Sequence, residues 1–152
     1  MSDTRKHIYQ IEVPVSPELT FAILHTPSAI CDWWKASRAI VVAAPGGVWI
    51  AAWGPEDDPD YISAATIACF DPPRRLRLAD FKYHARSGAL PFSTSDVTTE
   101  FIVGPSAGGS FLRVVQDGFP TDTVADEFYA GCEVGWHTTF ENIRQYLSAN
   151  AQ

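Results

Sequence analysis

Few side chains of this 152-residue chain are spaced to do chemistry together. Its histidines, His7, His25, His84 and His137, show neither His-x-x-x-His nor His-x-Glu spacing, so they do not assemble a zinc or iron set. Asp57, Asp58 and Asp60 crowd one acidic loop. That loop lacks the Asp-x-Asp-x-Asp-Gly order and the terminal Glu of a calcium site, and it reads as a solvated turn. No Gly-x-Ser-x-Gly, phosphate loop or dinucleotide fingerprint occurs. Two single residues stand out. Asp80 follows Leu76 and Leu78 in alternation, which turns it inward as a candidate acid or base unless a bulge shifts the register. His84 lies at the edge of an irregular segment, within reach of a pocket mouth. No catalytic residue, metal ligand or cofactor is assigned.

Rings are the stronger signal. The chain holds five tryptophans, five tyrosines and nine phenylalanines. Trp49 and Trp53 share one face of a strand, and Trp136 projects from the apolar face of the last helix. With Trp34, Tyr61, Phe81, Phe92, Phe101, Phe119, Phe128 and Cys132 they form a candidate ligand-contacting set, to which Asp80 and His84 add polar groups. A cavity lined by rings with few polar groups holds small apolar or aromatic molecules.

The elements that must position these residues follow from periodicity. His7 to Val15 alternates as a half-buried strand. Ser16 and Pro17 open a short helix as N-cap and first helical residue. Pro27 ends it, and a second short helix covers Ser28 to Trp34. Strands follow: Ala39 to Ala43, a segment carrying Trp49, Ala51 and Trp53, Tyr61 to Phe70, Leu76 to Tyr83, a segment alternating through Val97, Thr99, Phe101 and Val103, and Ser110 to Gln116. Turns are expected at Pro45-Gly46-Gly47, Asp71-Pro72-Pro73, Gly104 to Gly109 and Asp117-Gly118-Phe119-Pro120. Arg86 to Ser95 reads as an irregular, mobile loop.

Thr123 to Leu147 is one long helix, with Phe128, Cys132, Trp136, Phe140, Ile143 and Leu147 on one face. Thr123 and Asp126 resemble a capping box. Gly131 and Gly135 interrupt this helix, either for close approach of a strand or to leave room for a ligand.

Composition bounds the function. A net charge of −7 with scattered Lys and Arg argues against nucleic acid and against an anionic membrane surface. No apolar run approaches the roughly 20 residues of a membrane span. Met1 to Lys6 is polar and leads into no secretory h-region. Cys31, Cys69 and Cys132 are too far apart for Cys-x-x-Cys and read as reduced, buried thiols. The expectation is a cytoplasmic, single-domain protein spanning residues 1–152 with its core in 7–147.

One strand, two short helices, about six strands and a long helix make an α+β chain with an antiparallel sheet. This order resembles the START-like (SRPBCC) superfamily, and within it the activator of heat-shock protein 90 ATPase homologue group. The resemblance rests on Asp32-Trp33-Trp34, on Pro45-Gly46-Gly47 before Trp49, on Asp71-Pro72-Pro73-Arg74-Arg75-Leu76, and on Asp117-Gly118-Phe119 followed by Gly135-Trp136. It implies a helix-grip (START/Bet v-like) fold, in which a curved sheet of six to seven strands wraps the C-terminal helix around a cavity. Members include lipid carriers, aromatic polyketide cyclases and hormone receptors. Gln116 matches a family position that faces the cavity and joins the candidate ligand contacts.

Three functions are carried forward: a binding module for a small hydrophobic or aromatic molecule, a cyclase- or hydrolase-type enzyme using polar cavity residues, and a chaperone-modulating interaction protein. A homodimer is an open partner assignment in each.

Overall fold

The computed structural model describes residues 4–88 and 96–149. The element order is β1 (Thr4–Val13), α1 (Pro17–Ala22), α2 (Pro27–Trp33), β2 (Arg38–Val41), β3 (Val48–Trp53), β4 (Tyr61–Asp71), β5 (Arg75–Ala85), β6 (Thr98–Ser106), β7 (Gly109–Pro120), a 3-10 turn (Thr123–Ala125) and α3 (Asp126–Ala149). The seven strands form one antiparallel sheet in the order β1-β7-β6-β5-β4-β3-β2. The antiparallel sheet is the one the pattern predicts, and its arrangement with α3 is the helix grip that the resemblance implies.

Local chemistry accounts for the short helices. Ser16 Oγ accepts the backbone N–H of Leu19 at 3.2 Å, and Pro17 occupies the first turn, where its missing N–H costs nothing. Pro27 opens α2 in the same way, rather than closing α1. His25, between them, packs beside Phe21 and Phe70. Burial lowers its pKa, which favours the neutral ring.

The core is the inner face of the sheet closed by the second half of α3. Ile11, Val13, Ala51, Ile67, Leu76, Leu112 and Val114 meet Phe140, Ile143 and Leu147 there. The first half of α3 is pinned to β1 at its start. Arg5 pairs with Asp126 at 2.7 Å and lies over the Tyr129 ring. His7 donates from Nε2 to the Tyr129 carbonyl at 2.7 Å, and the Tyr129 hydroxyl donates to the Lys6 carbonyl at 2.8 Å.

Several boundaries differ from the periodicity. The break expected at Asp117 to Pro120 is instead the end of β7, which pairs with Thr4 and Arg5 of β1. Gly118 makes this feasible with φ +94, and a Cβ there would lie 2.0 Å from the Asp96 carbonyl oxygen. The β6–β7 turn shrinks to Ala107 and Gly108, because β6 runs on to Ser106. Thr123 caps nothing: it begins the 3-10 turn, and no side-chain cap bond forms. The cysteines are half-buried, not buried. Of the irregular segment, Arg86, Ser87 and Gly88 follow β5; Ala89 to Ser95, Phe92 among them, lie outside the described residues.

The acidic loop is held by charge. Arg86 reaches Asp58 at 2.7 Å and Asp60 at 3.2 Å. Among the described residues no group of three His, Cys, Asp or Glu is placed to hold a metal ion. No helix among them is long and apolar enough to cross a membrane.

Candidate ligand cavity

Between the sheet and the first half of α3 lies a cavity of about 1010 Å³. Its sheet wall is built from inward positions of successive strands: Trp49 and Trp53 on β3, Tyr61 and Ser63 on β4, Leu78, Phe81 and Tyr83 on β5, Thr99 and Phe101 on β6, and Gln116 on β7. Trp33 and Trp34 close one end from α2. Phe128, Cys132 and Trp136 face them from α3.

The tryptophans at the α2 end form a joined wall. Trp34 meets the Trp53 ring edge-on at 4.7 Å and lies 5.4 Å from Trp49 and 5.8 Å from Trp33. Three of their indole N–H groups donate to backbone carbonyls. Trp33 donates to the Ile23 carbonyl, Trp49 to the Leu24 carbonyl and Trp53 to the Trp34 carbonyl, at 3.0, 2.9 and 3.2 Å. Trp136 donates to Gln116 Oε1 at 2.7 Å, and its ring meets Phe101 edge-on at 5.8 Å. These four donors are therefore satisfied without a ligand, and what these four indoles add to the cavity is apolar ring surface.

One bulge decides which residues of β5 reach this wall. Thr66 pairs with Ala79 and Ala64 with Lys82, so Asp80 and Phe81 together oppose Ala65. Asp80 takes up the extra residue at φ +52 and is exposed. The inward phase of Leu76 and Leu78 then resumes at Phe81 and Tyr83. Asp80 is thus corrected from inward acid to bulge residue. His84, in the opposite phase to Tyr83, is exposed and also misses the cavity.

Phe119 is corrected as well. It is fully buried against His7, Phe128 and Tyr129 beneath the start of α3, and supports the wall without lining it. Trp34, Trp49, Trp53, Tyr61, Phe81, Phe101, Gln116, Phe128, Cys132 and Trp136 do converge on one space.

Sequence reasoning missed Trp33, Ser63, Tyr83 and Thr99. Thr99 had a legible signal, since it alternates in phase with Val97 and Phe101. Tyr83 had none, because its inward phase depends on the bulge at Asp80.

The glycines of α3 belong to this space. Nothing lies within 4 Å of a Cβ built at Gly131 or at Gly135, and both line the cavity. They leave room and do not admit a strand. Burial pushes the Cys132 thiol up to about 11. Desolvation also raises the Tyr83 phenol, with Tyr61 and Cys132 adding to the shift. Both groups are protonated at neutral pH.

A seven-stranded antiparallel sheet gripping a C-terminal helix, with two short helices after the first strand and a ring-lined cavity between, defines a START-like, SRPBCC-type protein. Residues 14–148 match the family described as Activator of Hsp90 ATPase homolog 1-like protein, and the chain belongs to that family. Solved structures share the fold at low identity. A Mesorhizobium loti protein is 20% identical with a TM-score of 0.73, over 95% of this chain and 98% of its own. A Nitrosomonas europaea protein is 18% identical with a TM-score of 0.74, over 96% of each. A protein described as the Aha1 dimer from Colwellia psychrerythraea is 15% identical with a TM-score of 0.73, over 94% of this chain and 96% of its own. No curated protein matches the sequence significantly.

Proposed function

We propose that the protein binds one small, predominantly apolar, ring-bearing molecule between the sheet and α3, without covalent chemistry. The observation that carries this reading is the cavity of about 1010 Å³ walled by indole faces, with the N–H groups of Trp33, Trp49, Trp53 and Trp136 already bonded within the protein. Such a wall rewards flat apolar surface and asks for little hydrogen bonding. Burying on the order of 300 Å² of ligand at about 25 cal/mol per Å² contributes about 7–8 kcal/mol before entropy costs, which sets micromolar affinity as the upper bound for a ligand of that size. The ligand contacts are drawn from Trp34, Trp49, Trp53, Tyr61, Phe81, Phe101, Gln116, Phe128, Cys132 and Trp136.

Binding fits the cavity better than catalysis. The two lining groups with shifted pKa values, Tyr83 and Cys132, both hold their protons more tightly than usual. Neither is poised as a base or nucleophile near pH 7. Activation of a chaperone ATPase, the task in the family's description, is exerted on a protein partner, whereas the feature this reading rests on is an interior space. Homodimerisation, the state named for the Colwellia protein, is compatible with this reading and independent of it.

The test is a tryptophan fluorescence titration with hydrophobic and aromatic compounds, paired with native mass spectrometry of protein purified from its own host. Saturable quenching at micromolar concentration and a co-purifying small molecule are expected. Absence of any binding below millimolar concentration overturns the proposal.

A further inference from the structure

Among the described residues that line the cavity, one fully buried side-chain oxygen has no hydrogen-bond partner within the protein. Thr99 is 3% exposed, lines the cavity, and its Oγ1 makes no hydrogen bond. A buried hydroxyl in that state is unfavourable, and an apolar wall would be better served by valine at this position. Directly opposite it in the β6–β7 register stands Gln116, so the two side chains leave the same face of the sheet as nearest neighbours. Gln116 is oriented by Trp136, whose indole N–H occupies Oε1. With Oε1 so engaged, the amide keeps its Nε2 donor for another partner at the strand position next to Thr99.

Charge narrows the ligand further. No described lining residue is a lysine, arginine or histidine, and the one formal charge among them is Glu127. A carboxylate or phosphate drawn into this space would lose its hydration and meet no cation.

We infer that Thr99 and Gln116 form a polar subsite for a neutral ligand oxygen, a hydroxyl or carbonyl on a flat ring system whose body lies against the tryptophan wall. This inference rests on the binding reading above and sharpens it to a class: neutral, oxygen-bearing, polycyclic or aryl molecules, with acids excluded.

Pyrene, 1-hydroxypyrene, pyrene-1-carboxylate and 1-pyrenemethylammonium, which share one ring body, provide the test at neutral pH. Binding is read by energy transfer from tryptophan. 1-Hydroxypyrene should bind about tenfold more tightly than pyrene, one net hydrogen bond with a previously unpaired group. The carboxylate should bind at least about tenfold more weakly than 1-hydroxypyrene. Thr99→Val should abolish the hydroxyl's advantage and leave pyrene affinity unchanged. Its urea midpoint at or above wild type would show the fold intact, and Gln116→Met offers a second route if it is not.

Equal affinities for pyrene and 1-hydroxypyrene overturn the subsite and leave the cavity reading standing, with solvent serving Thr99. The subsite is equally overturned if either charged probe binds most tightly, or if Thr99→Val retains the hydroxyl preference. If no probe binds, both readings fall.

Discussion

Trp136 on α3 donates its indole N–H to Gln116 Oε1 on β7 at 2.7 Å, tying the helix to the sheet across the cavity. The start of α3 is held separately by Arg5 and His7 of β1, and its second half is buried in the core. Trp136 stands where the helix passes from cavity lid to core element. It touches Phe140 on the core side and Phe101 on the sheet.

That position sets the cost of removing it. Trp136→Ala should destabilise the protein by about 1–3 kcal/mol, below the roughly 3–5 kcal/mol of a fully buried aromatic, because the ring is only half-buried and borders empty space. Trp136→Phe keeps the ring contacts and loses the hydrogen bond, for about 1 kcal/mol. Urea unfolding checks both. A loss above about 4 kcal/mol for the alanine variant would mean that the ring is core and not cavity wall.

Gly131 and Gly135 predict opposite movements of stability and binding. Each sits in a helix interior with open space where a Cβ would go. Alanine at either position should stabilise the helix by up to about 1 kcal/mol. Gly135→Leu should instead occupy cavity volume and weaken pyrene-type ligands at least about tenfold, with the urea midpoint unchanged or raised. Unaltered affinity in Gly135→Leu would place the ligand elsewhere.

The limits of sequence reading are set by the same features. The apolar phase of α3, the alternation of β1 and β6, and the Ser16-Pro17 helix start were legible because each depends on neighbours a few residues away. The continuation of β7 through Gly118 was not, since a Gly-Phe-Pro string looks like a turn until β1 is present to pair with it. The cavity set was legible to the extent that strand phase was unbroken. Trp49, Trp53 and Phe101 reach it by simple alternation, whereas Asp80, His84 and Tyr83 depend on a bulge defined by two strands together. Phe119 has the right phase for burial but lies below the wall, a distinction that only packing draws.

Cys132 gives a prediction about pH. Its thiol is raised to about 11 by burial beside the cavity. At pH 8 its thiolate fraction is then roughly a thousandth, and alkylation by iodoacetamide should be about 100-fold slower than for an unperturbed thiol. A Cys31→Ser, Cys69→Ser background isolates the signal. Because the folded value lies above the unfolded one, the stabilisation is fully present below the unfolded thiol's pKa and is lost as pH climbs towards 11. A bound ring compound should slow alkylation further. A thiol reacting at the free rate at pH 8 would show that Cys132 does not face a desolvated space.

Asp80 offers the sharpest test of how the sheet builds the site. Its φ of +52 lies in the left-handed region, which aspartate tolerates and β-branched residues resist. Asp80→Gly should therefore be neutral or stabilising by up to about 1 kcal/mol. Asp80→Val should cost about 1–3 kcal/mol through strain at the bulge. The effect extends beyond stability. Relief of that strain by deleting the bulge moves β5 by one residue relative to β4, and a one-residue slip exchanges the faces of the strand. Phe81 and Tyr83 would leave the cavity, and Lys82 and His84 would take their places. Asp80→Val should thus weaken aromatic ligands while Asp80→Gly leaves them unchanged, although Asp80 itself does not line the cavity. Equal ligand affinity in the two variants, with both folded, would show that the inward phase of Phe81 and Tyr83 is fixed by β4 and α3 rather than by the bulge.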